Sequence, residues 1–186
     1  DKKAMANQGF IRNLMTSGTF DALPIEELRR VFILNSFLLI GGPFLMAYAA
    51  LIFIEGNKFI SISTFSIGVI IIINFFYLRY SLNRIFVSYF VTTTMLLFFF
   101  MLYVTGGSLG SAALWMYPFP LIAVFLVGAK SGLIFSLAMI VMAIIAYLTP
   151  DFMVAEYYAD FIKRLLGAFA VVSLFAYVYE YLRGKT

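Results

Sequence analysis

Apolar residues fill six long blocks of this chain, separated by short connectors that are richer in polar residues and glycine. Each block holds about 17–24 residues, enough for a helix rising ~1.5 Å per residue to cross ~30 Å of hydrocarbon. The fourth block is the weakest because it is short and contains Pro118 and Pro120. The six predicted spans are Val31–Ile54, Phe59–Leu78, Ile85–Val104, Ala112–Ala129, Gly132–Leu148 and Phe161–Tyr179. The pattern predicts an all-α integral membrane bundle of six transmembrane helices.

Composition supports this prediction and excludes several functions. The chain is 63% hydrophobic and only 12% charged, whereas soluble domains are roughly a quarter charged. It contains no histidine and no cysteine, so thiolate nucleophiles, Ser-His catalysis and the usual zinc or haem ligands are excluded. We expect no catalytic residue, metal or cofactor within this chain. We also expect no nucleic-acid binding, since the net charge of +4 is better explained by membrane topology.

The distribution of basic residues predicts the orientation. With the N-terminus in the cytoplasm, ten lysines and arginines fall inside and three fall outside. This bias obeys the positive-inside rule and places both termini in the cytoplasm. The predicted domains are a cytoplasmic or interfacial segment over residues 1–30, the membrane domain over 31–179, and the start of a truncated cytoplasmic signalling helix over 180–186.

The connector after the third span leads to a candidate ligand site. Thr105 to Ser111 is uncharged and glycine-rich, and it precedes Trp115-Met116-Tyr117-Pro118-Phe119-Pro120. Proline breaks the helical hydrogen-bond ladder, and the freed carbonyls need a partner at this depth. One interpretation is a kinked cap over a pocket lined by Trp115, Tyr117 and Phe119, with Tyr103 nearby. The other is an aromatic belt at the outer interface with an ordinary proline kink.

The last connector adds charged candidates. If a helix begins at Glu156, then Glu156, Asp160 and Arg164 share one face at spacings of four residues. Arg164 would lie about one turn inside the outer boundary, where an unpaired cation is costly. It could bind a carboxylate or phosphate of a ligand. Alternatively, it could extend to the interface and pair with Asp160.

Polar and small residues inside the spans suggest helix contacts. Asn35 and Asn74 occupy similar depths in the first two spans, which favours interhelical hydrogen bonding. In the sixth span, steps of three and four residues predict a seam that continues past the membrane boundary. Such a stripe could serve packing within the bundle or a dimer that continues into a coiled coil. The seam residues are Gly167, Ala170, Leu174, Tyr177 and Tyr181.

Four features together resemble a known class of bacterial membrane module. They are Leu23-Pro24 through Arg29-Arg30 with Asn35 following, Thr105-Gly106-Gly107 leading to Trp115 and Pro118/Pro120, Arg164 at the start of the last span, and the exit Tyr179-Glu180-Tyr181-Leu182-Arg183. The chain is similar over nearly its whole length to MASE-type six-helix sensor domains. Such domains precede GGDEF diguanylate cyclases, and similar ones precede some histidine kinases and class III adenylyl cyclases.

The resemblance implies a homodimer in the bacterial inner membrane that binds a small or lipid-like signal. It further implies that paired last helices pass the signal to a cytoplasmic output domain, here expected to be a diguanylate cyclase. The alternative is a vitamin-binding subunit of an energy-coupling-factor transporter, which is similar in size and in its Gly128-to-Gly132 connector. That reading requires an Ala-x-x-x-Ala stripe in the first helix, and Val31–Ile54 has no convincing one.

Overall fold

The computed structural model describes residues 13–18 and 24–184, and it contains no β-strand within these residues. Apart from a short helical turn at residues 13–16, two 3₁₀ helices, Ser108–Met116 and Pro150–Phe152, interrupt a series of α-helices. The α-helices are α1 (Ile25–Ile54), α2 (Lys58–Ser81), α3 (Arg84–Thr105), α4 (Phe119–Val127), α5 (Ala129–Leu148) and α6 (Ala159–Arg183).

Six helical segments in the described part of the chain are long and apolar enough to cross a membrane. This confirms the predicted number of spans and the all-α class. The main differences lie at the ends. Helix α1 begins at Ile25, directly after Pro24, and α6 continues past its apolar block to Arg183. Both helices therefore extend beyond the apolar blocks into charged residues.

The fourth span is split, as its prolines predicted. A nine-residue 3₁₀ helix, Ser108–Met116, is followed by a turn at Tyr117 and Pro118 and then by α4. Pro118 caps α4, and Pro120 occupies its second position, where the missing amide hydrogen costs nothing because no carbonyl of the same helix lies in reach. The prolines therefore start a helix here.

The chain divides into two compact units, with the boundary inside α3 between Val91 and Thr92. In the first unit, α1 and α2 approach so closely that a Cβ added at Gly68 would lie 3.0 Å from the carbonyl oxygen of Gly42. Ser61 donates a hydrogen bond to the carbonyl of Ala49 on α1, at 2.7 Å. Small residues and a hydrogen bond between helices are the usual means of association in lipid.

A tight turn joins α2 to α3 in the same unit. Leu82 ends α2 in the left-handed conformation, and the side chain of Asn83 accepts a hydrogen bond from the amide of Phe86. This cap sets the start of α3. Arg84 is thereby placed 2.9 Å from the carboxylate of Glu27 at the start of α1.

The second unit packs the C-terminal part of α3 with the 3₁₀ helix, α4, α5 and α6. Gly132 of α5 lies against the backbone of Val124 on α4, leaving no room for a Cβ. Helix α6 turns one stripe of side chains inward: Ile162, Leu165, Phe169, Ser173, Ala176 and Glu180. The candidate site lies at the end of this unit where α3 ends and α6 begins.

Candidate functional site

A cavity of about 430 Å³ lies between the end of α3 and the start of α6. Its volume is within the range of pockets that hold small molecules. Two connectors and the first turn of α6 form its wall. The lining residues are Thr105, Gly106, Gly107, Gly110, Val154, Ala155, Glu156, Tyr157, Tyr158 and Phe161. Glu156 is the one charged side chain among these ten.

Three stacked aromatic rings support the floor of the cavity. The ring of Tyr157 stacks on that of Tyr103, with centroids 5.5 Å apart, and on that of Phe161 at 5.3 Å. The hydroxyl of Tyr157 donates to the carbonyl of Tyr103 at 2.8 Å. Tyr103 is itself fully buried, and its hydroxyl donates to the carbonyl of Ala143 on α5 at 3.3 Å. The stack therefore connects α3, α5 and the start of α6.

Backbone contacts hold the two connectors together. The amides of Val154 and Ala155 both donate to the carbonyl of Val104, each at 3.1 Å. Gly106 has a φ of +71°, and an added Cβ there would collide with the side chain of Ala155. A glycine is required at this position by both its conformation and the close approach.

Tyr157 lies outside the six spans, and its ionisation reflects its surroundings. Burial raises its pKa from 10.0 to about 12, and the neighbouring Tyr103 adds to the increase. Both effects disfavour the phenolate. Tyr157 is therefore a neutral hydrogen-bond donor at physiological pH.

The residues predicted to cap a pocket lie elsewhere. Phe119 is fully buried, and its ring meets that of Phe99 edge-on at 6.1 Å. Trp115 and Tyr117 are half-buried on the 3₁₀ helix and the turn after it. None of these three lines the cavity. The glycine-rich connector does line it, whereas ligand contacts of Trp115, Tyr117 and Phe119 stay a prediction.

The helical face predicted for Glu156, Asp160 and Arg164 does not form as a unit. Helix α6 begins at Ala159, so Glu156 precedes it and does not share a helical face with Asp160 and Arg164. Asp160 lies 3.4 Å from Lys163, in place of the expected pair with Arg164. Arg164 is exposed and does not line the cavity. Its predicted contact with a ligand stays a prediction.

The predicted seam on α6 lies outside the packed face of the helix. Gly167 is exposed, and within residues 13–18 and 24–184 no atom beyond the adjacent backbone of α6 lies within 4 Å of an added Cβ. Leu174 and Tyr181 are 58% and 41% exposed. Ala170 and Tyr177 are half-buried. Packing within this chain therefore does not account for the stripe, while a dimer interface stays a prediction.

The far end of α6 carries a buried ion pair that sequence reasoning missed. Glu180 is only 6% exposed, and Arg183 lies 2.6 Å from its carboxylate. The guanidinium also lies 5.8 Å from the ring centre of Phe125 on α4 and 5.9 Å from that of Tyr179. These are cation–π distances. The exit of α6 is thus fastened to α4. The spacing of Glu180 and Arg183, three residues apart, was the available signal.

In the first unit, Asn35 bonds to the N-terminal segment and Asn74 bonds within its own helix. The Asn35 amide donates to the carbonyl of Met15 at 2.8 Å and to the hydroxyl of Ser17 at 2.9 Å. It therefore fastens residues 13–18 to α1. Asn74 donates to the carbonyl of Ile70 within its own helix. These bonds replace the predicted hydrogen bonding between the first two spans.

Arg79 of α2 contacts the same N-terminal segment. Its guanidinium lies 3.3 Å from the carbonyl of Leu14 and 3.5 Å from that of Asn13. The remainder of the predicted interfacial segment, residues 1–12 and 19–23, lies outside the described residues.

Comparisons with protein-family models, curated proteins and solved structures find no match to this chain. The function must therefore be argued from the geometry of the chain and from its composition.

Proposed function

We propose that this chain is a transmembrane sensor domain. It binds a small molecule in the cavity between the end of α3 and the start of α6, and it transmits occupancy along α6. In this proposal both termini are cytoplasmic, the cavity opens outside, and the chain works as a homodimer in a bacterial inner membrane. The signal passes to a cytoplasmic output domain, which we propose is a diguanylate cyclase.

One observation carries the proposal: a single helix connects the cavity to the buried ion pair. Tyr157, Tyr158 and Phe161 line the cavity just before and within the first turn of α6. Glu180 and Arg183 lie in its last turn. A 25-residue helix spans ~37 Å at ~1.5 Å per residue, so a ligand that shifts one end can act on the other.

The absence of mid-membrane charge also favours sensing over ion-coupled transport. Pumps and ion-coupled transporters place ionisable side chains near the middle of their spans. In this sequence the charged residues lie in the connectors and near the span ends. A sensor needs only two arrangements of α6 with different affinities for the ligand.

The proposal can be tested by joining this chain in frame to a diguanylate cyclase domain and measuring cyclic di-GMP in cells. Val154→Trp fills the cavity with a large side chain. Val141→Trp is the matched control, since Val141 is 54% exposed on α5 and does not line the cavity. We expect Val154→Trp, and also Glu180→Gln, to change the output at least ~3-fold, about 0.7 kcal/mol in a two-state equilibrium.

The control variant should leave the output as in the parent fusion. If Val154→Trp and Glu180→Gln both behave like Val141→Trp at equal protein levels, the sensor proposal is wrong. A transporter subunit would give that result.

A further inference from the structure

The charges around the cavity define the kind of molecule it accepts. Glu156 is the one charged residue among the ten that line it. The nearest basic residues on α6 do not contribute to the wall: Lys163 lies beside Asp160 at 3.4 Å, and Arg164 is exposed elsewhere on the helix. Glu156 is therefore the one formal charge that lines the cavity.

Three backbone amides of the cavity wall are already engaged in hydrogen bonds. Loops with positive φ can expose amide groups that bind anions, and Gly106 and Gly107 have such φ values. However, the amide of Gly106 already donates to the carbonyl of Leu102 at 2.9 Å. The amides of Val154 and Ala155 are both engaged by the carbonyl of Val104. These hydrogen bonds use donors that an anion site would need.

Aromatic side chains complete the wall. The Tyr157 ring is stacked on both Tyr103 and Phe161. The rings of Phe161 and Tyr158 also line the cavity, and Tyr158 is 88% exposed. A carboxylate next to aromatic faces is the combination that binds organic ammonium groups, through charge and cation–π attraction.

We propose that the cavity binds a small organic cation, an amine or quaternary ammonium compound with an apolar portion. The ammonium group lies against Glu156 and Tyr158, and the apolar portion lies toward the glycine connector and Phe161. This inference rests on the proposed function for its biological meaning, since it identifies the chemical class of the signal. Binding itself can be measured without any output domain.

The test uses the purified full chain in detergent and three probes of similar size and different charge. Benzyltrimethylammonium is the cation, benzyl alcohol the neutral compound and phenylacetate the anion. Isothermal titration calorimetry at constant ionic strength gives the affinities. We expect the cation to bind at least ~10-fold more tightly than the anion, as a charge-assisted contact allows.

Matched variants locate the site. Glu156→Gln removes the charge at an exposed position and should weaken binding of the cation ~10-fold. Asp151→Asn is its control, because Asp151 is an exposed carboxylate of the same connector that does not line the cavity. It should change the affinity less than ~2-fold. Tyr158→Leu should weaken the cation ~2- to 5-fold through loss of the ring face.

Three results would overturn the inference: phenylacetate binding as tightly as the cation, no binding of the cation, or equal effects of Glu156→Gln and Asp151→Asn. These results are separable from failure of the sensor proposal. If Val154→Trp changes the output of the cyclase fusion while the cation is not preferred, the ligand class is wrong and the sensor proposal stands. If the cation binds through Glu156 but Val154→Trp leaves the output unchanged, the site is real and sensing is wrong.

Discussion

Arg183 holds the carboxylate of Glu180 at 2.6 Å on the last turn of α6, with Glu180 only 6% exposed. The same guanidinium faces the rings of Phe125 and Tyr179. A carboxylate buried to this degree is stable only while its partner is present, because an unpaired buried charge is strongly unfavourable. In this structure the exit of α6 is therefore docked against α4.

Removing one partner of this pair should loosen the end of α6. We expect Arg183→Gln to lower the free energy of unfolding by about 2 kcal/mol, the value typical of a lost hydrogen bond to a charged group. Thermal unfolding of the purified protein in detergent measures this change. Lys163→Gln is the control because it breaks an ion pair with the same i, i+3 spacing on the same helix, but one that is exposed. Exposed pairs contribute little, so equal destabilisation by both variants would contradict the role of burial.

Ionisation of Tyr157 should lower the stability of the folded protein at alkaline pH. Its pKa rises from 10.0 when exposed to about 12 in the folded protein, so the folded state favours the neutral phenol. This contribution is complete below pH 10.0 and is lost as the pH rises through about 12. Tyr157→Phe removes the titrating group and should flatten this part of the stability profile.

The same substitution removes the hydrogen bond to the Tyr103 carbonyl, at a cost of about 1 kcal/mol near neutral pH. Tyr158→Phe serves as the control, since Tyr158 is 88% exposed. Stability is measured by thermal unfolding from pH 8 to the alkaline limit of the detergent system. This range begins below the ordinary tyrosine pKa of ~10. Identical profiles for the parent and Tyr157→Phe would refute the assignment.

The six spans could be predicted because length and hydropathy alone define a helix in lipid. Pro118 and Pro120 also predicted the break in the fourth span, since proline acts on the backbone locally. The boundaries were harder to predict. Hydropathy alone ends the sixth span at Tyr179, whereas α6 continues to Arg183, which pairs with Glu180.

The cavity could not be predicted because it arises from contacts between distant connectors. Nothing in the sequence pairs Gly106 with Ala155 or Tyr103 with Tyr157, which lie about fifty residues apart. The conspicuous aromatic residues, such as Phe119, are used in packing instead. The useful signal in the sequence was the glycine-rich connector, since Gly106 lies where the two connectors come close together at Ala155.

Close contact between α1 and α2 should make Gly68 intolerant of even one methyl group. An added Cβ would lie 2.8 Å from Met46 Cγ and 3.0 Å from the Gly42 carbonyl oxygen. Since backbone cannot yield as a side chain can, Gly68→Ala should destabilise by about 1–3 kcal/mol. Gly41→Ala is the matched control, because its nearest neighbour would be Phe37 at 3.9 Å. Equal melting temperatures for the two variants would show that the helices can separate without cost.

Asn35 should protect the N-terminal segment from exchange with solvent. Its amide holds the Met15 carbonyl and the Ser17 hydroxyl, so Asn35→Ala should speed hydrogen–deuterium exchange over residues 13–18. A loss of about 1 kcal/mol per hydrogen bond corresponds to ~5-fold faster exchange for each bond. Asn74→Ala is the control, since Asn74 donates to the carbonyl of Ile70 within α2. Unchanged protection in Asn35→Ala would show that other contacts, such as those of Arg79 and Ser36, retain the segment.

The predicted seam on α6 can be tested as a dimer interface by cysteine crosslinking. The chain has no cysteine, so a single introduced cysteine reports one position without further changes. A disulfide requires Cα atoms less than ~7 Å apart. If the seam is the interface, Leu174→Cys should crosslink in membranes under mild oxidation. Phe175→Cys should not, although Phe175 is the more exposed residue, at 72% against 58%.

A second substitution separates a specific interface from random collision. Gly167→Leu adds bulk where, among the described residues, nothing beyond the adjacent backbone of α6 lies within 4 Å of an added Cβ, so folding should be unaffected. In a dimer that packs on the seam, the leucine should hold the paired helices apart and reduce crosslinking through Leu174→Cys at least ~3-fold, because close approach depends on small residues. Equal crosslinking through positions 174 and 175, insensitive to Gly167→Leu, would place any dimer contact on a different face of the molecule.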